Sequence, residues 1–330
     1  MIGLACAIQV LPLAAPVLLS TDVYTYWDYA RISTVHDGNP YLDEPREFPG
    51  DPAFPLMGSQ WHDTTSVYGP GFTLASEAHA VAVEDSADAA AWLYRALGAA
   101  AMIVLVLLAA RLSPRPAFAA AFVGWNPLLA VHFAGGGHND AWMMAFVLGA
   151  LALAAAGRPF LAGVSWAAAI VIKWVPLLFL PLRLLEARKT GRRLDHRGLG
   201  LGLAIIVAIA TWRYGLSWLG AAGPLASNLA EDRAWYAIPV RIASPGLPEG
   251  LVAGVFAAAF VVAYAWLLRE AWHGRARLAL TAGLLLVCTS WLVPWYAVWA
   301  VPLAAVEEDR TARILALALS AYLLRDAVPL

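Results

Sequence analysis

Long apolar runs separated by polar segments make up most of the chain. Runs of membrane-spanning length, or close to it, lie at residues 2–19, 89–110, 116–134, 140–156, 199–217, 249–268 and 312–324. Two longer apolar stretches, 159–185 and 278–306, are interrupted by polar residues or proline. A membrane-spanning helix needs about 20 mostly apolar residues. The pattern therefore predicts one all-α domain over residues 1–330, a polytopic transmembrane helix bundle with roughly nine to eleven membrane segments, some of them broken.

Residues 20–88 are the one long polar segment between the apolar runs. They hold twelve acidic residues and only two basic ones, Arg31 and Arg46. Basic residues gather in five other places: Arg111 and Arg115, Arg158, the cluster 183–197, the cluster 269–277, and Arg310 with Arg313. Because lysine and arginine are enriched in cytoplasmic loops, we expect a protein of the cytoplasmic (inner) membrane whose residues 20–88 form a large first extracytoplasmic loop. Within that loop, 24–35 and 67–83 are predicted to be amphipathic helices on the outer surface.

The same charge rule predicts that the two interrupted stretches leave the cytoplasmic side and return to it. Stretch 159–185 has basic residues at both ends, and a single crossing would place one set outside. Each arm then has about 13 residues, or about 20 Å of helix, which is less than the roughly 30 Å hydrocarbon core. The same holds for stretch 278–306, so both are predicted to be broken, re-entrant-like helix pairs. Since breaks exposed to lipid are not tolerated, these pairs are predicted to line a cavity in the outer half of the membrane.

The centres of the two broken stretches carry a cation and two aromatic rings. Lys173 lies at the centre of the first stretch, and Trp295 and Tyr296 lie at the centre of the second. At the apex of two short arms, Lys173 is predicted to be a buried cation near the outer leaflet. The alternative is a lysine whose ammonium snorkels to the membrane surface.

Two polar motifs border the same outer region. Residues 20–22 (Ser-Thr-Asp) follow the first apolar run directly. Asp22 is there either a general base or part of a helix cap on a solvated loop. Residues 135–140 (Gly-Gly-Gly-His-Asn-Asp) follow a later run, and their glycines let the backbone approach another group closely. A tight turn between helices explains this motif without any function, and His138 with Asp140 gives only a weak metal signal, because a metal site needs further ligands.

Carboxylates, cations and aromatic rings together favour sugar transfer from a phosphate-linked donor. Asp22 or Asp28 would take the proton of the acceptor hydroxyl. Arg31 and Lys173 would stabilise the negative charge that develops on the leaving phosphate. An Asp-x-Asp metal motif, typical of enzymes that use nucleotide sugars, is absent from the sequence. A cytoplasmic nucleotide would also be on the wrong face, so the predicted donor is a lipid phosphate that reaches the site from the membrane.

The predicted partners are a lipid-linked sugar donor, a glycan or glycolipid acceptor, and the surrounding membrane lipids. The net charge of −1 gives no general affinity for nucleic acid. No cofactor is predicted beyond the polyprenyl-phosphate sugar that serves as donor substrate, and no metal site is predicted. Cys6 and Cys288 both lie in apolar runs, so a disulfide is not expected.

An ordered set of short motifs extends over about residues 10–305. The motifs of the first half are Leu11-Pro12, Ser20-Thr21-Asp22-Val23-Tyr24-Thr25-Tyr26, Gly38-Asn39-Pro40-Tyr41 and Tyr68-Gly69-Pro70. The later motifs are Gly135-Gly136-Gly137-His138-Asn139-Asp140, Lys173 and Pro294-Trp295-Tyr296-Ala297-Val298-Trp299. Each motif alone is weak, but in this order the set resembles the family of polyprenol-phosphomannose-dependent α-(1→6)-mannosyltransferases of actinobacterial lipomannan assembly.

The resemblance implies a GT-C membrane fold and an inverting transfer of a sugar, mannose in that family, from a β-linked polyprenyl phosphate. It also implies that Asp22 is the general base and that His138 and Lys173 lie near the donor phosphate. The candidates for substrate binding are Tyr24, Tyr26, Asn39, Tyr41, Tyr68, Asn139, Asp140, Trp295 and Tyr296. Residues 27–31 depart from the small-residue pattern expected there, which keeps Asp28 as a competing base.

Two other classes of function stay open at this point. A transporter or flippase of lipid-linked saccharides also uses broken helices and intramembrane charge. Such proteins commonly have two related halves, however, and the sequence shows no matching pair. A non-catalytic glycan-binding or assembly subunit is favoured only by the short length. Members of the family usually carry one or more extra helices before the segment that matches residues 2–19, and a longer C-terminal part, so we expect a shortened or compact member.

Overall fold

The all-α prediction is confirmed, because no strand occurs in the residues that the structure describes. A computed structural model describes residues 1–191, 196–221, 236–243 and 246–325. The α-helices are α1 (Ile2–Val10), α2 (Asp22–Thr34), α3 (Pro70–Val83), α4 (Ala87–Leu112), α5 (Pro116–Gly124), α6 (Pro127–Ala130), α7 (Asp140–Ala155), α8 (Pro159–Ile172), α9 (Pro176–Thr190), α10 (His196–Tyr214), α11 (Ile238–Ala243), α12 (Glu249–Trp272), α13 (Leu278–Cys288), α14 (Val301–Val306) and α15 (Arg310–Leu324). Turns of 3-10 helix lie at Leu11–Ala14, Pro45–Glu47, Ser59–Trp61, Ser217–Ala221 and Pro294–Trp299, and a π-helical turn lies at Val131–Gly135.

Two helices, α4 and α12, are long and apolar enough to cross a membrane, with 26 and 24 residues. A third span results if α5 and the segment Pro127–Gly135, which are bent by 56° relative to each other, are counted as one. Shorter apolar helices occur at Ile2–Ala14, Asp140–Ala155, Pro159–Ile172, Leu278–Cys288 and Pro294–Val306. Within the described ranges, helix length and composition therefore fit a helical membrane protein, while the total of roughly nine to eleven membrane segments stays a prediction.

The first apolar run, at 2–19, does not form the single helix that its length predicts. α1 ends after nine residues, Leu11–Ala14 forms a 3-10 turn, and Leu19 has a φ of 61°. Pro12 and Pro16 lack a backbone N–H donor, so a helix cannot continue through them without losing hydrogen bonds. The chain therefore leaves the helical path well before the end of the run.

α2 and α3 lie close to the two helices predicted within segment 20–88, but α2 is not an amphipathic surface helix. Side chains on several of its faces are buried, and Val23, Trp27 and Ala30 are fully inaccessible to solvent. The polar residues of α2 are buried with them, so the helix depends on tertiary partners rather than on water. α2 is therefore an internal part of the fold and not an outer layer over it.

α8 and α10 run side by side in the same direction. Near the start of both helices, Gly198 packs against the backbone of Phe160. Further along both, Gly202 packs against Ala167. Since α10 begins at the level where α8 begins, α9 has to carry the chain back to that level. The break between α8 and α9 lies at Lys173, whose backbone is extended (φ −154°, ψ 142°).

The two ends of stretch 278–306 meet each other. The Glu307 carboxylate accepts the backbone N–H of Leu278 at 2.9 Å and also that of the next residue. Arg277 Nε donates to Asp309 Oδ2 at 2.7 Å. These contacts place the start of α13 beside the end of α14. The helical path between them is interrupted after α13. The chain therefore runs away from this contact and returns to it.

Arg95 of α4 joins two loops at one end of the bundle. Its Nε donates to the carbonyl oxygen of Ala134 at 3.0 Å, in the π-helical turn. Its Nη2 donates to the carbonyl oxygens of Pro12 and Ala15, at 2.7 and 2.6 Å. Hydrogen bonds from a charged donor are stronger than neutral ones. Arg95 therefore fixes the turn after α1 against the loop that leads into α7.

We expect Arg95→Met to destabilise the protein by on the order of 3 kcal/mol, because hydrogen bonds to charged groups contribute about 1.5–3 kcal/mol and three carbonyls lose their donor. Thermal unfolding of the purified protein in detergent measures the change. Arg111→Met is the matched control, since Arg111 lies exposed near the end of the same helix. An equal loss of stability in both variants would contradict the role of Arg95.

Candidate functional site

Two neighbouring cavities lie where the breaks of the bundle meet. The larger has a volume of about 590 Å³. It is lined by several residues between 17 and 24, by His132 of the π-helical turn, by Gln60 and Tyr236, and by residues 293–295 ahead of α14. The smaller has a volume of about 170 Å³ and contains Lys173 in its wall. The residues that line both cavities are Asp22, Gln60, Val293 and Trp295. These residues therefore form the boundary between the cavities.

Asp22 is held beside His138 at this boundary. Asp22 is the first residue of α2, and its backbone N–H donates to Ser20 Oγ at 3.2 Å. His138 Nδ1 lies 3.2 Å from Asp22 Oδ2. The His138 ring is fully buried and stacks on Trp295, with ring centroids 3.7 Å apart and planes 12° apart. Stacking therefore fixes the plane of the imidazole, while neither ring nitrogen of His138 has a hydrogen-bond partner among the described residues.

A second charged group lies in the wall of the smaller cavity. Asp140 Oδ1 accepts hydrogen bonds from Lys173 Nζ at 2.7 Å and from Trp299 Nε1 at 2.6 Å. The Lys173 ammonium also lies 4.6 Å from the centroid of the Tyr296 ring, and Tyr296 stacks on Trp299 at 3.9 Å. A carboxylate and two aromatic rings thus hold the cation from one side. Its other side faces the cavity, where it can attract an anion.

Glycine makes the loop that carries His138 possible. Gly137 has a φ of 69°, which side chains rarely adopt, and a Cβ at this position would lie 2.5 Å from Val23 Cγ1. The preceding turn, Val131–Gly135, is π-helical, a geometry that is frequent at functional sites. The side-chain atoms of Asn139 have no hydrogen-bond partner among the described residues. The loop therefore presents polar groups whose hydrogen-bonding capacity is unused.

Aromatic side chains close the smaller cavity on the side of α2 and α3. The Tyr26 ring packs edge-on against Tyr68 and Phe72, at centroid distances of 5.0 and 4.9 Å. Tyr26 and Tyr68 line the smaller cavity, and Tyr24 lines the larger one. These rings supply flat, mostly apolar walls of the kind that small-molecule sites use.

Arg31 and Asp28 lie away from both cavities. Arg31 Nε is 2.8 Å from Asp51 Oδ1, and its Nη2 is 2.7 Å from Asp85 Oδ1. Its guanidinium group also lies 5.0 Å from the centroid of the Trp27 ring. Asp28 is 3% exposed and lines neither cavity. The contacts of Arg31 thus tie α2 to its surrounding loops.

Asn39 and Tyr41 also form contacts outside the cavities. Asn39 Nδ2 donates to the carbonyl oxygen of Tyr214 and to Ser217 Oγ, both at 3.0 Å. The Tyr41 hydroxyl lies 2.8 Å from Thr73 Oγ1. These bonds connect the loop after α2 to the end of α10 and to α3. Both residues therefore support the loop that carries the cavity wall.

Several cavity residues have no counterpart in the sequence-based prediction. Gln60 and Trp61 come from the short 3-10 turn Ser59–Trp61, and His132 comes from the π-helical turn. Trp174 and Trp291 lie beside the two breaks. No periodic pattern marks residues in such turns. For His132, the one available signal is its position a few residues before the glycine motif.

Broken helices that converge on buried charged and aromatic side chains define a helical membrane protein with an internal polar site. The family model described as "Alpha-(1->6)-mannopyranosyltransferase, N-terminal domain" matches residues 3–187. The chain belongs to this family, and the family predicted from the ordered motifs is confirmed.

Two curated relatives, which share one name, also match the chain. The chain is 26% identical over 347 residues to "Alpha-(1->6)-mannopyranosyltransferase A" of Mycobacterium tuberculosis, a match that covers 92% of this chain and 65% of that protein. It is 31% identical over 181 residues to the protein of that name from Corynebacterium glutamicum, which covers 52% of this chain and 36% of that protein. The chain thus spans less than two thirds of the length of these relatives. No solved structure matches it significantly.

The buried carboxyl group of Asp28 makes a testable contribution to stability. Burial and the nearby Asp51 carboxylate raise its pKa from 3.8 to about 7, while Arg31 opposes the shift. The folded state therefore keeps a proton that the unfolded state releases, and the stability that this proton gives is lost as the pH rises through about 7. At about 1.4 kcal/mol per pKa unit, the free energy of unfolding should fall by a few kcal/mol between about pH 4 and pH 8.

Asp28→Asn should remove this part of the pH dependence, since the amide is neutral at every pH. The measurement is the thermal midpoint in detergent across that pH range, for the wild type and the variant. Asp37→Asn, which changes an exposed carboxyl group near the end of the same helix, is the control. Parallel pH profiles for the wild type and Asp28→Asn would rule out the assigned shift.

Proposed function

We propose that this protein is a membrane glycosyltransferase that moves mannose from a polyprenyl-phosphate donor to an extracytoplasmic glycan or glycolipid, with inversion. The observation that carries the proposal is the position of Asp22 at the boundary of two cavities, one of which contains the Lys173 ammonium. An acceptor hydroxyl in one cavity and a donor phosphate in the other would meet at that carboxylate. Membership of the mannopyranosyltransferase family supports the same reaction.

Asp22 is the proposed general base. As the acceptor oxygen forms its bond to the anomeric carbon of the donor, the bond from that carbon to the phosphate oxygen breaks, and the hydroxyl proton passes to the carboxylate. His138 Nδ1 lies 3.2 Å from Asp22 Oδ2, and the His138 side chain lines neither cavity, so its proposed role is to pack beside the carboxylate. Asp28 is less suited to the role, because it lines neither cavity and a base has to reach the proton that it takes.

Lys173 is the proposed phosphate-binding cation. The leaving polyprenyl phosphate gains negative charge as the glycosidic bond breaks, and a cation fixed in advance stabilises that charge without reorganising. Asp140, Trp299 and Tyr296 fix the ammonium by the contacts described above. These three residues are thus proposed to position Lys173 rather than to take part in bond making.

An apolar groove supports a lipid-linked donor. The groove has a volume of about 450 Å³ and lies between α3, α7, α8 and α10. Its wall includes Val171 and Ile172, which directly precede Lys173, and Phe72, which packs edge-on against Tyr68 at 5.3 Å. A phosphate at Lys173 with an attached isoprenoid chain could therefore place the chain in the groove.

The proposed arrangement in the membrane is a single GT-C domain whose site lies on the extracytoplasmic face of the cytoplasmic membrane. The acidic segment 20–88 and the basic groups elsewhere support this orientation. So do the two broken stretches, 159–185 and 278–306, because residues near their centres line the smaller cavity and their end residues do not. Arg192 and Arg193 of the predicted basic cluster lie outside the described residues.

Asp22→Asn should reduce mannose transfer by about 100-fold to 10,000-fold, the usual contribution of a general base, without unfolding the protein. The measurement is transfer of radiolabelled mannose from polyprenyl-phosphomannose to a synthetic α-(1→6)-dimannoside by membranes that contain the protein. Asp28→Asn is the matched control and should keep most of the activity. The assignment fails if Asp28→Asn is the inactive variant and Asp22→Asn is active.

Ala168→Trp should obstruct the apolar groove, which Ala168 lines. We expect the KM for a long-chain polyprenyl-phosphomannose to rise severalfold, while the KM for a short-chain analogue changes little. Leu161→Trp, an exposed position earlier on the same helix, serves as the control. Equal effects on the two donors would show that the groove does not hold the lipid chain.

A further inference from the structure

His132 is a buried histidine whose hydrogen-bonding capacity is unused. The whole residue is only 2% exposed, and neither ring nitrogen has a hydrogen-bond partner among the described residues. Its ring lies 5.7 Å from that of His138 and 5.6 Å from that of Trp295. The π-helical turn Val131–Gly135 places it in the wall of the larger cavity.

A buried polar group without a partner costs free energy, so such groups normally find one. The cavity that His132 lines has a volume of about 590 Å³, which is large enough for a small-molecule ligand. A neutral imidazole offers one donor and one acceptor. A sugar hydroxyl also donates one hydrogen bond and accepts others. The unused nitrogens therefore match a hydroxyl group of a bound sugar.

The charges in the two cavity walls select different ligands. Lys173 lines the smaller cavity. The described lining of the larger cavity contains no lysine or arginine, and it includes the Asp22 carboxylate. The Asp22 carboxylate lines both cavities, but among the described lining residues only the smaller cavity has an ammonium group, Lys173, that can contact an anion. The larger cavity is therefore the better site for a neutral polyol. Ser20, Thr21 and Gln60 add hydroxyl and amide groups, and Trp295 adds a flat face for a sugar ring.

We propose that the larger cavity is the acceptor subsite and that His132 binds a hydroxyl of the acceptor sugar next to the hydroxyl that reacts. This proposal rests on the proposed function and divides the site into two parts: the donor phosphate binds at Lys173, the acceptor binds at His132, and Asp22 lies between them. His132 acts by binding and orienting the acceptor, and it takes no proton in the reaction.

The test compares KM values for the two substrates in His132→Phe, which keeps a ring of similar size without hydrogen-bonding nitrogens. The KM for the α-(1→6)-dimannoside should rise about tenfold or more, the effect of losing one hydrogen bond. The KM for polyprenyl-phosphomannose should stay within about twofold of the wild-type value. His132→Gln should recover part of the loss, and it also covers the case in which His132→Phe does not fold.

His79→Phe is the matched control. His79 also has a buried nitrogen without a hydrogen-bond partner among the described residues, but it packs against Tyr94 and Trp142 and lines neither cavity. Its two KM values should match those of the wild type. An increase in the donor KM alone for His132→Phe would overturn the proposal, and so would unchanged KM values for both substrates.

A binding experiment separates this proposal from the proposed function. If the wild type transfers no mannose, dimannoside binding to the protein in nanodiscs can still be followed by saturation-transfer NMR. Binding to the wild type and to His79→Phe, with loss in His132→Phe, would support the subsite although the proposed reaction had failed. Absence of binding to the wild type, or equal binding to both variants, would overturn the subsite.

Discussion

The ion pair between the buried Asp140 carboxylate and the partly buried Lys173 ammonium is the contact on which the rest of the site depends. Asp140 begins α7, Lys173 lies in the break between α8 and α9, and Trp299, which shares the Asp140 carboxylate, belongs to the broken stretch that follows α13. The pair thus joins three interruptions of the helical bundle at one point. Removing Lys173 would leave the buried Asp140 carboxylate without its compensating charge, which is destabilising. A helix can therefore break here because the exposed backbone ends are covered by other broken elements rather than by lipid.

Much of this architecture is visible in the sequence, because charge and proline limit where a chain can cross a membrane. The break at Lys173 follows from basic residues at both ends of one apolar stretch, and the contact between Gly198 and Phe160 agrees with a chain that returns. The first apolar run shows where this reasoning ends. Its mean hydropathy is that of a membrane helix, yet Pro12 and Pro16 end the helix early, since local hydrogen bonding decides continuity and average hydropathy does not.

The candidate site is less accessible to prediction, since its residues come from distant turns. The sequence predicts that Arg31 binds phosphate, because it shows a cation in an acidic segment but not which group that cation pairs with. Only the fold shows that Asp51 is its partner. Gln60 and His132 were not expected, because 3-10 and π-helical turns have no periodic sequence pattern. The proximity of Asp22 to His138 requires the fold itself, although the ordered motifs indicate both residues separately.

The Glu307 carboxylate, which accepts the backbone N–H of Leu278, has a consequence for how the chain is made. Helix α13 obtains this N-terminal cap from a residue 29 positions later in the sequence. During synthesis the first turn of α13 therefore stays uncapped until the whole stretch has left the ribosome. The out-and-back stretch can reach its final position only as a unit, with both of its ends already synthesised. Trp295, which stacks on His138, belongs to that unit, so the cavity wall is completed late in biosynthesis.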